Sequence, residues 1–266
     1  DVTPQLLKEY EKKMRSENRS YATIGIYLRC LRTIFNKQFI DHAIYPFGSG
    51  SGKYSIPTGA NTKKALTIDD VARIFNYPTV DGSTMQMAKD YWLFLYLANG
   101  MNMKDFCLLR WSDIKPGNVL EYQRAKSYER AKTDKTIKVS LKPESLDIIS
   151  RHGQPSINPD GYIFPHLNME MDEAAIRRTV KQLTKTVNKY VKRIAAEIGL
   201  NKDVTTYAAR HSFATVLKRS GANVSMISEL LGHSNLKVTQ NYLDSFEDDQ
   251  IHDTTNVLTA GFKKAN

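Results

Sequence analysis

Apolar residues recur at helical spacing over the first forty residues of the chain. The pattern predicts one helix over residues 3–16 and a second that begins at a Ser20 cap. The second helix places its apolar face at Ile24, Tyr27, Leu28, Leu31, Ile34 and Phe35. Residues 46–62 are rich in Gly, Ser, Pro and Asn and lack this spacing, which is typical of a loop that leads into a linker. We therefore predict a separate all-α N-terminal domain over residues 1–60.

The rest of the chain, residues 61–266, is predicted to form a second, mainly helical domain. Thr67 and Asp70 have the spacing of a helix capping box, with Asp in place of the usual Glu. Helices are expected over residues 85–97, 103–109, 172–198, 206–220, 225–231 and 236–243. Residues 119–126 and 136–141 have the pattern of two short strands. The predicted fold class is mainly α with a small antiparallel β-sheet, an α+β domain.

Charge indicates what kind of partner this fold meets. The chain has 38 Lys and Arg against 28 Asp and Glu, a formal net charge of +10. Such an excess favours a polyanionic partner, because cationic side chains release the counterions that surround nucleic acid. The charge by itself does not identify a reaction.

Cysteine content and hydropathy argue against a zinc-binding, a disulfide-rich or a membrane-spanning protein. Cys30 and Cys107 are too few for a zinc site or a disulfide framework, and their apolar surroundings predict buried free thiols. The longest apolar stretch, residues 91–98, is far shorter than the ~20 residues of a membrane-spanning helix. No signal-peptide pattern opens the chain, so we expect a cytoplasmic protein with no membrane partner. The chain begins at Asp1 rather than Met, which leaves open whether an N-terminal part precedes it.

Two segments near the end of the chain carry chemistry. The first reads Ala-Arg-His-Ser-Phe-Ala-Thr from Ala209, and the second reads Glu-Leu-Leu-Gly-His-Ser-Asn-Leu-Lys-Val-Thr-Gln-Asn-Tyr from Glu229 to Tyr242. An Arg-His-Ser motif on a helix, a Leu-Gly-His after a short helix and a Tyr nine residues beyond that His resemble the phage integrase family of tyrosine recombinases. Because all the offsets are present, this pair is much more specific than either motif alone. With weaker matches, the resemblance covers essentially the whole chain.

The resemblance implies an enzyme that breaks and rejoins DNA with Tyr242 as its nucleophile. A phosphodiester is an anion and gains charge as it is attacked, so fixed cations are needed around it. Arg210 can donate a bidentate fork to the nonbridging oxygens. His233 can donate to the same phosphate or help to remove the Tyr242 proton. A 3′-phosphotyrosine link conserves the phosphodiester energy, so no ATP, metal or other cofactor is expected.

The family resemblance also implies a lysine on a β-hairpin that protonates the leaving 5′-oxygen. The segment Tyr-Gln-Arg-Ala-Lys-Ser from Tyr122 resembles the end of that strand, which makes Lys126 the first candidate. Lys132, in an Ala-Lys-Thr segment, is the rival. The lysine that is not catalytic is expected to touch the DNA backbone from the hairpin tip.

One departure from the family pattern concerns the first catalytic arginine. The family pattern Gly-Leu-Arg-x-x-Glu matches Gly-Met-Asn-Met-Lys-Asp from Gly100, so Asn102 stands where Arg is usual. Asn brings no charge, and we predict that Arg124 supplies the missing cation, with Lys104 as the alternative. Arg124 lies two residues before Lys126, and strand alternation places both side chains on one face. The loss resembles a branch of integrases carried by bacterial conjugative transposons.

A second departure is Tyr207, which stands three residues before Arg210 where many relatives carry His. A phenol can donate one hydrogen bond to a phosphate but is a poor general base near neutral pH. Tyr207 is kept in the predicted catalytic set.

The resemblance implies double-stranded DNA at a specific site as the partner, clamped between a core-binding domain and a catalytic domain. Four protomers would act on two sites, with accessory DNA-bending proteins as further candidates. Arg29 and Arg32 of the second helix are expected to approach grooves and phosphates. Lys132, His211 and Asn102 are further candidates for DNA contacts. The tail beyond residue 250 is expected either to pack on its own domain or to dock in a neighbouring protomer.

The expected function is site-specific recombination that integrates or excises a mobile element. One alternative is a catalytically impaired, recombinase-derived DNA-binding protein, with Asn102 as a mark of decay. Another is a type IB topoisomerase, which shares the chemistry but relaxes DNA without exchange. A helix-turn-helix regulator explains the charge but not the motif spacing.

Overall fold

The computed structural model of the chain describes residues 2–37, 44–59, 65–125, 136–201, 203–233, 236–240 and 243. Two compact units are distinguished, Asp1–Thr62 and Lys63–Asn266. Their described residues are mainly helical, with one small three-stranded antiparallel sheet. The predicted combination of a mainly α fold with a small antiparallel sheet is therefore confirmed. None of the helices in the described ranges is both long and apolar enough to cross a membrane.

The first unit is built on two helices. Helix α1 (Pro4–Ser16) starts at Thr3, whose hydroxyl accepts a hydrogen bond from the backbone N–H of Leu6. Helix α2 (Tyr21–Lys37) follows, close to the predicted bounds. Their buried faces form a cluster of Leu7, Met14, Ile24 and Leu28. Cys30 lies on the exposed side of α2, so the prediction that both thiols are buried was wrong for Cys30.

The Gly-rich segment after α2 contributes more than a linker. Phe47 and Tyr54 are buried in the same cluster as the two helices. The Tyr54 N–H donates to the Pro46 carbonyl at 2.7 Å, which closes the loop between these two residues. Part of the segment predicted to be loop therefore belongs to the core of this unit.

The second unit begins with α3 (Ile68–Phe75) and is centred on α4 (Thr84–Leu97). The predicted capping box starts α3. The Asp70 N–H donates to the Thr67 hydroxyl, and the Thr67 N–H donates to the Asp70 carboxylate. Five consecutive residues of α4, Tyr91 to Leu95, are buried, as expected of a helix surrounded by others. After a turn at Gly100 the chain enters α5 (Met103–Cys107).

The sheet follows α5 and consists of β1 (Ile114–Lys115), β2 (Val119–Gln123) and β3 (Thr136–Ser140), in that order. Tyr122 pairs with Ile137 and Leu120 with Val139, and all four side chains point into the core. The sequence predicted only two strands, because the two residues of β1 carry too little alternation to be recognised. Strand β2 ends three residues earlier than predicted.

Among the residues that the structure describes, five further helices belong to the second unit. They are α6 (Pro143–His152), α7 (Glu173–Glu197), α8 (Thr206–Arg219), α9 (Val224–Leu230) and α10 (Leu236–Gln240). The sequence analysis missed α6 and predicted the others to within a few residues. The long helix α7 buries a single stripe at Leu183, Val187, Val191 and Ile194. The short α9 is followed by its C-cap Leu231 and then by Gly232, whose positive φ of 67° suits glycine.

Candidate active site

Arg210 is the central residue of the site. It lies on the second turn of α8, and only 1% of the residue is exposed. Its Nη1 donates to the Gly100 carbonyl at 2.8 Å, and its Nη2 donates to the Leu231 carbonyl at 2.6 Å. Nη2 also lies 2.9 Å from Nε2 of His233. The guanidinium is thus fixed by the turn after α4 and by the end of α9.

The turn at Gly100 approaches Arg210 closely. Gly100 has a φ of 63°, and a Cβ added there would lie 2.9 Å from the Arg210 Cα. A side chain at position 100 would therefore meet both backbone strain and the backbone of α8. This explains why glycine precedes the segment in which the family carries its first catalytic arginine.

His233 directly follows the end of α9. Its N–H donates to the Ser228 carbonyl at 2.9 Å, a contact typical of a chain that leaves a helix through a glycine. The ring is 7% exposed, with Nε2 beside Arg210 and Nδ1 2.9 Å from Oγ1 of Thr239. Thr239 is fully buried on α10. Both ring nitrogens are therefore held by side chains.

Arg124 reaches the same place from the sheet. It follows the last residue of β2, and its side chain is 12% exposed. Its Nη1 lies 3.5 Å from the carbonyl oxygens of both Leu231 and Gly232. Arg124 and Arg210 thus share the Leu231 carbonyl, which places the two guanidinium groups side by side. The contacts of Arg124 are longer than those of Arg210, so Arg124 is held less tightly.

Asp105 is the buried carboxylate of this cluster. Its Oδ1 accepts from the Ala125 N–H at 3.0 Å, and its Oδ2 lies 4.0 Å from Nε of Arg124. Burial raises the pKa of Asp105, and hydrogen bonds from Ala125 and Asn102 together with the positive charge of Arg124 offset this only in part. Asn102 therefore binds the carboxylate that also faces Arg124.

Tyr207 and His211 lie on α8 next to Arg210. The Tyr207 ring is edge-on to the His211 ring, with centroids 4.8 Å apart. Tyr207 is 49% exposed, whereas His211 is only 7% exposed. The two rings form one aromatic pair at the start of the helix, beside the cation cluster.

Other predicted site residues lie elsewhere or outside the described residues. Arg29 and Arg32 are exposed on α2 of the first unit, and Lys104 is half-buried on α5. Tyr242, Lys126 and Lys132 fall outside the described residues. The argument from strand alternation assumed that Arg124 lies in β2. The strand ends at Gln123, so that argument does not hold.

A sequence profile identifies the chain. The profile of the phage integrase family matches residues 64–248, which is more than half of the chain. The chain belongs to the phage integrase family. Its curated relatives are tyrosine recombinases, and this protein is a tyrosine recombinase as well.

Individual relatives of this tyrosine recombinase are distant in sequence but match over most of their length. Tyrosine recombinase XerC of Thermodesulfovibrio yellowstonii is 24% identical over 91% of this chain and 77% of its own. The Tn1549 transposon integrase bound to transposon right end DNA superposes with a TM-score of 0.61 at 20% identity, covering 98% of this chain and 86% of that one. XerH bound to a palindromic difH substrate gives 0.62 at 18%, covering 97% and 70%. These structures share the fold.

The arrangement in this recombinase is suited to an anion. Two guanidinium groups and an imidazole lie close together, and the guanidinium groups donate to backbone carbonyls. A phosphate that enters the site can accept these hydrogen bonds in place of the carbonyls. Sequence reasoning missed Asp105 and Thr239. Asp105 stands at the Glu position of the family pattern, a signal that was available, whereas Thr239 is revealed only by its contact with His233.

Proposed function

We propose that this tyrosine recombinase exchanges DNA strands at a specific site through a 3′-phosphotyrosine link formed by Tyr242. The observation that carries the proposal is that Arg210 and Arg124 both contact the Leu231 carbonyl while His233 lies against Arg210. Two guanidinium groups and an imidazole that come together from different elements match the need of a phosphodiester for charge stabilisation and proton transfer during attack. Tyr242 follows this cluster at the offset that the family motif requires.

Each member of the proposed catalytic set has a distinct role. Arg210 binds the nonbridging oxygens with its fork, and Arg124 supplies the charge that Asn102 lacks. His233 acts on the Tyr242 proton or on the phosphate, and Tyr207 donates one further hydrogen bond. The lysine of the hairpin, Lys126 or Lys132, protonates the leaving 5′-oxygen.

The roles of the two units form a second part of the proposal. The first unit would be the core-binding domain, with Arg29 and Arg32 exposed toward DNA, and the second unit would be the catalytic domain. Lys132, His211 and Asn102 remain candidates for further DNA contacts. Four protomers would act on two DNA sites in the cytoplasm, on the nucleoid when bound, with accessory DNA-bending proteins as possible partners. The link to a mobile element rests on Asn102, whose departure from the family pattern resembles the integrases of conjugative transposons.

A covalent trap tests the proposed chemistry. A library of nicked duplexes with randomised sequence is incubated with the protein, denatured, and examined for DNA that stays attached. We expect an adduct with the wild-type chain and none with Tyr242→Phe, because the phenol oxygen is the attacking atom. An adduct that forms equally with Tyr242→Phe, or none with the wild-type chain, contradicts the proposal. Sequencing the trapped DNA identifies the site.

Two alternatives are separated by the same material. A binding protein that has lost catalysis would retain the selected duplex without forming an adduct. A type IB topoisomerase would relax supercoiled plasmid that lacks the selected site and would not exchange strands between two sites. The proposed function predicts recombinant products only when both plasmids carry the trapped sequence.

A further inference from the structure

Thr239 is a buried residue of the site that the proposed mechanism does not use. Its Oγ1 lies 2.9 Å from Nδ1 of His233, and Nε2 of the same ring lies 2.9 Å from Nη2 of Arg210. Thr239 is 0% exposed, so water does not replace this contact. The imidazole is therefore held from one side by α10 and from the other side by α8.

The contact with Arg210 assigns the proton of the ring. A guanidinium stays protonated, and its N–H groups only donate. His233 Nε2 must then present its lone pair to Arg210, and a neutral imidazole carries its proton on Nδ1. The Nδ1–H group then donates a hydrogen bond to Thr239 Oγ1. In the opposite tautomer, two N–H groups would face each other at Nε2.

We infer that Thr239 is a positioning residue that holds His233 in the Nδ1-protonated tautomer, so that Nε2 serves as the proton acceptor for Tyr242. The inference rests on the proposed function and deepens it, because it decides between the two roles open to His233. The assignment of the acceptor nitrogen follows from two contacts in the free protein. It does not depend on the identity of the DNA site.

The chemical step balances with these groups. When phosphate binds, Arg210 Nη2 turns from the ring to a nonbridging oxygen, and the Nε2 lone pair becomes available. The Tyr242 phenol proton passes to Nε2, the phenol oxygen bonds to phosphorus, and the bond from phosphorus to the 5′-oxygen breaks. That oxygen takes its proton from the hairpin lysine. Rejoining runs the same transfers in reverse.

The position of Thr239 in the chain adds a coupling. It precedes Tyr242 by three residues, so the segment that leads to the nucleophile also orients the acceptor of its proton. A displacement of α10 would remove the Thr239 contact and the tautomer with it. A nucleophile that is not seated would therefore find no oriented base.

Nitrogen NMR of the free, full-length protein tests the tautomer directly. The protein is labelled with ¹⁵N at histidine, and the His233 signal is identified by its loss in His233→Gln. At pH 8 we expect one tautomer with the proton on Nδ1 in the wild-type chain and in Thr239→Ser. We expect a mixture in Thr239→Val, because valine keeps the shape but cannot accept. A wild-type ring protonated on Nε2 overturns the inference.

Cleavage of the trapped duplex tests the consequence. Thr239→Val should cleave about tenfold more slowly at unchanged DNA affinity, and Thr239→Ser should restore most of the rate. Thr184→Val is the matched control. It removes a half-buried hydroxyl that donates to the Val180 carbonyl within α7, away from the site. It should cleave as the wild type does.

The outcomes separate this inference from the proposed function. Wild-type cleavage by Thr239→Val, or no rescue by Thr239→Ser, overturns the positioning role while the adduct on Tyr242 persists. Failure of the wild-type chain to form an adduct contradicts the proposed function. The NMR measurement on the free protein tests the tautomer independently of that outcome. Should Thr239→Val fail to fold, the wild-type tautomer and Thr239→Ser decide.

Discussion

Two polar clusters in the second unit use similar side chains, but the groups that accept hydrogen bonds from the arginine differ between them. At the candidate site, the hydrogen bonds of Arg210 described above run to the carbonyls of Gly100 and Leu231 and to the His233 ring. In the other cluster, the Asp90 carboxylate accepts from Arg151 and from His152. A carboxylate neutralises a cation, whereas a carbonyl only orients it. These dipolar partners orient Arg210 without cancelling its charge, whereas Arg124 in the same site also faces the Asp105 carboxylate, with Nε 4.0 Å from Oδ2.

The Asp90 cluster has the features of a structural ion network. Burial alone would raise the pKa of Asp90, but hydrogen bonds from His152 and Arg151 outweigh this and hold the pKa below its usual value. The carboxylate joins α4 to α6 at the edge of the aromatic core, where the Tyr91 ring packs edge-on against His152. The comparison teaches that the partner of an arginine, more than the arginine itself, indicates whether the residue serves folding or ligand binding.

Arg210→Ala should produce the largest effect on the reaction. The change removes the guanidinium that binds two nonbridging oxygens, and no neighbouring side chain can take its position. The rate of cleavage of the trapped duplex should therefore fall by at least ~10²-fold. Single-turnover cleavage at saturating protein measures this, with the surface residue Arg193, which pairs with Glu197, changed to Ala as control. A cleavage rate within a few-fold of the wild-type rate would show that the charge of Arg210 does not stabilise the transition state.

Arg124→Ala should reduce cleavage by a similar factor, ~10²-fold, if its charge takes the place of the arginine missing at Asn102. The same single-turnover assay measures it, and thermal unfolding checks that the sheet is intact. Near-normal cleavage would remove Arg124 from the catalytic set. Lys104→Ala, measured in parallel, tests the alternative source of charge.

Asp90→Asn should affect stability and leave the chemistry alone. The folded-state pKa of Asp90 is lowered, so its ionised form stabilises the fold above the unfolded pKa and loses that contribution as the pH falls through the folded pKa. Urea unfolding should show a loss of about 2 kcal/mol at pH 7, because a partly buried ion network loses its anion. The loss should shrink below a pH of about 4.

The control for this stability effect is Asp147→Asn, which changes an exposed carboxylate of α6. It should alter the unfolding free energy by less than about 0.5 kcal/mol. An equal loss for Asp90→Asn at pH 3 and pH 7 would show that the cluster stabilises through packing rather than charge.

Much of this architecture could be predicted from the sequence, and the exceptions have physical causes. Helical periodicity and the Thr67 capping box are local signals, so α1, α4 and α8 were predicted to within a few residues. Helix α6 was missed, and β1 is too short to show a pattern. Phe47 and Tyr54 became core residues because a turn folds back onto two helices, a long-range effect that composition does not reveal.

The candidate site divides in the same way. Arg210 and His233 were predicted because the family motif fixes their offsets, and the structure brings both to one place. The approach of Arg124 was predicted from its nearness to Lys126, although β2 ends before it. The contact of Thr239 with His233 arises where α10 packs against the chain that leaves α9, and it leaves no local pattern in one sequence. The contact of Asn102 with Asp105 is local, between the cap and the first turn of α5, and the Gly-x-Asn-x-x-Asp spacing carried its signal.

The Leu231 carbonyl has a consequence for how this protein can evolve. A main-chain oxygen accepts from both arginines, and every amino acid provides that oxygen. Any side chain that fills the same buried space at position 231 keeps the acceptor, so mutations there are filtered by packing and not by chemistry. In a designed variant, residue 231 can be exchanged among similar apolar side chains while the electrostatic anchor stays in place. Position 231 therefore serves the site through a main-chain atom, while its buried side chain serves packing.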